Sequence, residues 1–150
     1  MSYITIGLCT DHTDWISTVI RWLTWSDYSH VVLVAPDGQC AIEATHGKPV
    51  RPITIYEFLA RDRATIRRIP HPNPTAVWDE AWSQLGKPYD WKFSWGWFFR
   101  RHWQDKNAWA CSELIAWAAE RGGKRLFPSF FDKITADHFF MISEELPTKE

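Results

Sequence analysis

The chain has 150 residues, which is the size of one ordinary domain and enough to bury a substantial core. Its 17 Lys and Arg residues against 18 Asp and Glu residues leave a formal net charge of −1. No chain-wide field therefore exists to attract nucleic acid or an anionic membrane. We expect a single domain over residues 1–150 with no nucleic-acid partner.

The cysteine and histidine spacings give no indication of a metal or another cofactor. Cys9, Cys40 and Cys111 are an odd number of thiols without zinc-type pair spacing, which favours a reduced compartment. None of the remaining histidines, His12, His46, His71, His102 and His138, has a histidine four residues away on a predicted helix. We therefore expect no metal and no cofactor.

The start of the chain, MSYITIGLCT, lacks the basic region and long apolar stretch of a secretory signal. No later run approaches the ~20 apolar residues of a membrane-spanning helix. These features predict a chain that is cytoplasmic as synthesised and has no membrane span, with any delivery elsewhere depending on a partner.

Tryptophan is the one abnormal component, because 11 are present and eight of them lie between Trp78 and Trp117. One interpretation is a core built from large aromatic side chains, which bury much area with few rotamers to freeze. The other is a wall for a substrate, for which Trp91, Trp95 and Trp97 are the candidates.

The predicted elements of the first half are a strand Tyr3 to Cys9, a helix from Thr13 or Asp14 to about Trp25, and two strands, Ser29 to Ala35 and Gln39 to Thr45. The turn Pro36-Asp37-Gly38 between the last two strands is typical of an antiparallel hairpin. A loop containing Gly47, Pro49 and Pro52 follows.

The predicted elements of the second half are a short helix Ile55 to Ala60, a strand Ala64 to Ile69, a helix Thr75 to Leu85 closed by Gly86, a helix Ala108 to Glu120 closed by Gly122-Gly123, and a short helix Thr135 to Phe140. The aromatic, basic segment Lys87 to Asn107 has no clear periodicity and is assigned as a loop. The arginine runs Arg61/Arg63/Arg67/Arg68 and Arg100/Arg101 are interpreted as solvated faces, since no glycine-rich phosphate loop accompanies them.

Cys111 lies in the first turn of its predicted helix, where free backbone N–H groups and the helix dipole favour a thiolate. The amides of Cys111 and Ser112 are also candidates for stabilising the oxyanion that forms when a thiolate attacks a carbonyl. The alternative is a small buried cysteine on an apolar helix face.

The hairpin supplies the partners for such a thiol. If Asp37-Gly38 is a two-residue loop, paired residues have numbers that sum to 75, so Val32 faces Glu43 and His30 faces Thr45. His30 and Glu43 then share one face as diagonal neighbours, at ~7–8 Å between their backbones. A loop of four residues keeps this parity, whereas one of three breaks it. A carboxylate on one ring nitrogen would fix the imidazole tautomer and leave the other nitrogen free to take a thiol proton.

Four strings, YSHVVLV, AIEA, GKPYDW and ACSELIAWA, occur in this order between Ile4 and Phe140. In this respect the chain resembles the permuted papain-like hydrolases related to NlpC-type cell-wall peptidases, and in particular the YiiX/YebB-like group. The resemblance implies an α+β fold in which a small antiparallel sheet curls toward a barrel and is packed by helices. It also implies nucleophile, base and orienting roles for Cys111, His30 and Glu43, with Ser112 and Tyr28 as near-site candidates.

Three functions are compatible with these residues. The preferred one is hydrolysis of an amide bond, in a peptide such as one from a cell wall, through a thioester acyl-enzyme. The second is transfer or hydrolysis of a lipid acyl group, because lecithin:retinol acyltransferase-like proteins resemble the same permuted order. Those proteins usually have a second histidine where this chain has Glu43, and a C-terminal membrane anchor. The third is a non-catalytic binding module.

A different nucleophile, Cys9, would give the unpermuted order of cysteine before histidine. Only 21 residues separate Cys9 from His30, which leaves little room for the crossover that this order requires. Cys40 is expected to point away from Glu43 and to serve in packing.

Overall fold

A computed structural model describes residues 1–10, 28–45, 48–88, 111–128 and 134–147. The predicted helix from Thr13 or Asp14 and the aromatic segment with Trp91, Trp95 and Trp97 lie outside these ranges. The described elements are β1 (Tyr3–Thr10), β2 (His30–Val34), β3 (Cys40–Glu43), β4 (Arg51–Thr54), α1 (Ile55–Leu59), β5 (Asp62–Pro70), α2 (Pro74–Trp82), α3 (Cys111–Arg121), α4 (Ala136–Ile142) and β6 (Glu144–Glu145).

The strands of the described ranges form one sheet with the order β4-β3-β2-β1-β5-β6. Every neighbouring pair is antiparallel. The sheet is open, since β4 and β6 are its two edges. Together with the helices it gives the α+β architecture that the sequence predicts.

The two faces of the sheet carry separate apolar clusters because side chains alternate along each strand. Ile6 and Leu8 of β1 belong to the larger cluster, which α2, α3 and α4 cover. Cys9 of β1 and Val32 of β2 belong to the smaller cluster, which is closed by Phe58 of α1. The short helix α1 therefore covers the face opposite to the other three helices.

The β2–β3 hairpin has the predicted register. Leu33 pairs with Ile42 and Val34 pairs with Ala41, so paired residue numbers sum to 75. The loop is nevertheless longer than two residues, because Ala35 N–H donates to the Cys40 carbonyl at 2.8 Å and residues 36–39 form the connection. Gly38 makes this turn with a φ of +73°, a conformation that costs glycine little. Four loop residues preserve the parity that two would give.

Strand β4 differs from the sequence prediction, since Pro52 indicates a loop. The strand forms because β4 is an edge of the sheet, where a residue without an N–H group breaks no ladder on its outer side. Its partner is β3, with Glu43 opposite Arg51. This pairing places a basic residue beside the only acidic residue of β3.

Helix α2 ends at Trp82, three residues before the predicted Leu85. The chain tightens there, because the N–H groups of Gln84 and Leu85 donate to the carbonyls three residues earlier, on Ala81 and Trp82. Gly86 still adopts the positive φ, +86°, that the sequence suggested for it. Among the described helices, none is long and apolar enough to cross a membrane.

Candidate active site

The first two site residues lie on the β2–β3 hairpin, where His30 begins β2 and Glu43 ends β3. The register places them on the same face, and His30 Nε2 is 3.0 Å from Glu43 Oε2. Both side chains are buried, Glu43 almost completely. A hydrogen bond to a carboxylate at Nε2 leaves Nδ1 as the ring nitrogen that can exchange a proton with another group.

Cys111 is the first described residue of α3, and α3 packs against β2. Burial by itself would raise the pKa of the Cys111 thiol, but the charge of His30 and a hydrogen bond with that side chain lower it. Hydrogen bonds from the backbone of Val31 and Ser112 act in the same direction. The net result is a thiol with a pKa below its ordinary value, which is the condition for a reactive thiolate.

His30 shows the complementary change. Burial alone would lower the pKa of the imidazole, but the Cys111 thiolate and the Glu43 carboxylate raise it well above its usual value. The two pKa changes have opposite directions, upward for the imidazole and downward for the thiol. Both changes favour the form in which the imidazole is protonated and the thiol is ionised.

Glu43 is surrounded by cations. Arg51 donates to Oε1 from Nε at 3.1 Å and from Nη2 at 2.9 Å. Arg61 bridges both oxygens, from Nη1 to Oε2 at 2.6 Å and from Nη2 to Oε1 at 3.1 Å. Burial would raise the pKa of Glu43, but the bonds from His30 and Arg61 hold it well below the usual range.

The arginines correct one interpretation of the sequence, that the run from Arg61 to Arg68 forms a solvated face. Arg61 is bound to the buried carboxylate of Glu43, and its side chain is only 24% exposed. Arg67 Nε donates to Ser143 Oγ at 2.6 Å, and the guanidinium of Arg68 lies 4.1 Å from the centre of the Tyr3 ring. The sequence prediction did not include strand β4. Had it done so, pairing of β4 with β3 would have placed Arg51 opposite Glu43.

Cys9 lies next to this site without an activated thiol. It pairs with His30 across the β1–β2 ladder and has no exposed surface. Burial raises the pKa of Cys9, although the charges of His30 and Arg61 oppose this effect. Cys40 lies at the other end of β3, and its pKa is also raised, by burial and by Asp37.

The near-site candidates Ser112 and Tyr28 both contact the region of α4. Ser112 Oγ donates to the Ile134 carbonyl at 2.6 Å, which joins the start of α3 to the residues that precede α4. Tyr28, two residues before His30, stacks on Phe140 with ring centres 5.3 Å apart. The candidate wall residues, Trp91, Trp95 and Trp97, fall outside the described ranges.

Comparison with known proteins gives a family match. A family model described as a permuted papain-like amidase enzyme, YaeF/YiiX, C92 family, matches residues 8–123. The crystal structure of metalloprotein yiiX from Escherichia coli O157:H7 superposes with a TM-score of 0.66 and 24% identity. The superposition covers 83% of this chain and 68% of the E. coli chain. A search of curated proteins finds no match.

The E. coli yiiX protein is described as a metalloprotein. Within the described ranges, no three His, Cys, Asp or Glu side chains cluster as metal ligands would. The carboxylate of Glu43 already binds His30, Arg51 and Arg61. A divalent cation beside two guanidinium groups would be repelled, so these residues do not fit a metal centre.

Proposed function

This chain belongs to the permuted papain-like amidase family, and from that premise we propose that it hydrolyses an amide bond with Cys111 as nucleophile, His30 as acid and base, and Glu43 as the group that orients His30. The observation that supports the proposal is the position of His30, which hydrogen-bonds Glu43 through Nε2 and interacts electrostatically with Cys111. The reaction is hydrolysis of a peptide or amide substrate, without a cofactor.

In the first half-reaction the Cys111 thiolate attacks the substrate carbonyl carbon and forms a C–S bond. The carbonyl electron pair moves to oxygen, and we expect backbone N–H groups near Cys111, including that of Ser112, to stabilise this oxyanion. His30 then gives its proton to the leaving nitrogen as the C–N bond breaks. The products are a free amine and a thioester on Cys111.

In the second half-reaction His30, now neutral, takes a proton from water. The resulting hydroxide attacks the thioester carbonyl, and the C–S bond breaks to release a carboxylic acid. The proton on His30 and the thiolate of Cys111 are thereby restored. Glu43 keeps the imidazole in one orientation through both halves, because its hydrogen bond to Nε2 leaves Nδ1 toward the thiol.

The proposed substrate class is a peptide, and within it a cell-wall peptide. Glu43 bears on the competing acyltransfer function, because the acyltransferase-like relatives usually have a histidine at this position. Here a carboxylate held between two arginines takes that place. This favours amide hydrolysis over lipid chemistry.

The mechanism is tested by alkylation of the native chain with iodoacetamide across a pH series, followed by mass spectrometry of the labelled peptides. Cys111 should be alkylated at mildly acidic pH, whereas Cys40 serves as an internal control because its pKa is raised. His30→Ala should shift the Cys111 profile to higher pH, and Glu43→Gln should shift it less in the same direction. An accessible Cys111 that is alkylated only at the pH of an ordinary thiol would refute the proposed nucleophile.

The substrate class is tested by incubating the wild-type chain and Cys111→Ala with peptidoglycan fragments and with phospholipid vesicles. Release of amines by the wild-type chain, absent in Cys111→Ala, would support the peptidase function. Release of fatty acid instead would establish the acyl-lipid alternative.

A further inference from the structure

We propose that Arg61 is a positioning residue that sets the orientation of Glu43 toward His30 and lowers the pH range in which the Cys111–His30 pair is charged. The inference rests on the proposed function, since it concerns the same three residues. The sequence pattern indicates a solvated face for Arg61, so its role is visible only in the structure.

The two arginines on Glu43 differ in which oxygen they bind. Arg51 donates only to Oε1, from Nε and Nη2. Arg61 donates to both oxygens and shares Oε2 with His30 Nε2. A bidentate guanidinium fixes the plane of a carboxylate as well as its position. Arg61 therefore determines where the oxygen that accepts from His30 lies, and Arg51 does not.

The backbone places Arg61 firmly. It follows α1, which is anchored by the fully buried Phe58, and Arg61 N–H donates to the Phe58 carbonyl at 3.1 Å. The Arg61 carbonyl in turn accepts from Ala64 N–H at 3.3 Å. Between them Arg63 has a φ of +53°, a left-handed conformation that a residue with a side chain adopts only when its surroundings require it. The backbone conformation of this turn is therefore well defined, and it holds the Arg61 guanidinium against Glu43.

The charges at the site explain the effect on pH. The carboxylate of Glu43 faces two guanidinium groups, so the cluster has a net charge of +1 rather than −1. Other charged or titratable groups near it in the described elements include Cys9 on β1, Glu57 on α1 and Cys111 on α3, and Asp62 and Arg63 follow Arg61 in the chain. Glu57 lies 3.6 Å from Arg51 and is half-exposed, so it offsets Arg51 more than Arg61.

A positive charge at Arg61 opposes the charge of imidazolium at His30. Without this charge Glu43 would stabilise imidazolium more strongly, and His30 would lose its proton at a higher pH. Removing the carboxylate of Glu43 should instead lower the pKa of His30, because the imidazolium loses its anionic partner. The two substitutions therefore move the titration of His30 in opposite directions, which a general loss of packing would not do.

The test is the NMR titration of the His30 imidazole in the full chain, with Cys111→Ala as a common background to remove the thiolate. Arg61→Met should raise the midpoint of the His30 titration, and Glu43→Gln should lower it. Arg61→Lys keeps the charge but not the bidentate geometry, so its midpoint should not rise as it does in Arg61→Met. The Nε2–H resonance of His30 should move upfield in Arg61→Lys, because the bond to Glu43 is less well aligned.

Arg51→Met is the matched control, since it removes a cation from the oxygen that His30 does not share. Its shift of the His30 midpoint should be smaller than that of Arg61→Met. An equal shift in the two variants, or none in Arg61→Met, would overturn the inference. If Arg61→Met does not fold, an unchanged Nε2–H resonance in Arg61→Lys overturns it instead.

Catalytic measurements separate this inference from the proposed function. With peptidoglycan fragments as the probe and Cys111 present, Arg61→Lys should lower kcat by about tenfold with little change in KM, since misplacing a catalytic group affects the chemical step. Retained hydrolysis in Cys111→Ala would refute the proposed function while leaving the His30 titrations unaffected. Loss of hydrolysis in Cys111→Ala together with normal kcat in Arg61→Lys would refute only the role of Arg61.

Discussion

Replacement of Gly7 by alanine tests how tightly α1 is held against the sheet. Gly7 lies in the middle of β1, between Val32 of β2 and Ile66 of β5. A Cβ atom at this position would be 2.5 Å from Phe58 Cζ and 2.8 Å from Val32 Cγ2. Carbon atoms are in favourable contact at about 3.5–4.0 Å, so the Phe58 ring would have to move by about 1 Å.

The cost of this displacement is set by the burial of Phe58, which has no exposed surface. An extra methyl group in a packed core costs about 1–3 kcal/mol. Alanine in a strand recovers about 0.5–1 kcal/mol of the entropy that glycine loses on folding. We expect a net loss of about 1–2 kcal/mol in the free energy of unfolding, and a fall in Tm of about 2–8 °C.

A double-mutant cycle with Phe58→Leu measures the contact directly by urea unfolding. The smaller side chain should accept the new methyl group, so Gly7→Ala with Phe58→Leu should be more stable than the sum of the single effects by about 1 kcal/mol or more. Additive effects, or a Gly7→Ala variant as stable as the wild type, would show that Phe58 does not press on Gly7.

Three further substitutions probe the site and its supports. Glu43→Gln should lower the free energy of unfolding by about 3 kcal/mol at pH 7, because two cations lose a buried partner. Folding lowers the pKa of Glu43, so this contribution to stability is complete above the unfolded pKa of about 4.3 and is lost as the pH falls through the folded pKa. Urea unfolding of the wild type and of Glu43→Gln should therefore give similar stabilities in strong acid. A difference in stability that does not shrink there would contradict this reasoning. Ser112→Ala should cost about 1–3 kcal/mol in thermal unfolding, because the Ile134 carbonyl loses its buried donor, and a change near zero would contradict this. Asn73→Ala should cost about 1 kcal/mol in the same assay, since Asn73 Oδ1 accepts from Ala76 N–H at the start of α2, whereas Asn73→Asp should cost little.

The relation between His30 and Glu43 was predictable from sequence because it depends on parity alone. A turn signal between two β-rich runs fixes which residues share a face, and loops of two or four residues give the same answer. The two arginines were not predictable in this way. Arg51 reaches Glu43 through an edge strand that contains a proline, and Arg61 reaches it from a turn with a left-handed residue. Both features depend on the assembled sheet and on α1.

In helix α2, likewise, the start is set by the local sequence, whereas the end depends on contacts with the rest of the fold. It starts at Pro74, one residue before the predicted Thr75, because Asn73 is the N-cap and a proline is favourable at the first helical position. Its end could not be placed from Gly86, because the chain leaves the helix at Ser83 and only reaches the positive φ three residues later. There the Gly86 N–H donates to the Val50 carbonyl at 2.8 Å, a contact with the residue before β4.

The order of elements also determines when the thiol becomes reactive during synthesis. The strands β1 to β5 lie within residues 3–70, whereas α3 begins at Cys111, 81 residues after His30. At about 5–20 residues per second, the ribosome adds Cys111 about 4–16 seconds after His30. The residues of β1 to β5, including His30 and Glu43, are therefore synthesised before Cys111. Until α3 docks on β2, Cys111 lacks the contact with His30 that lowers its pKa.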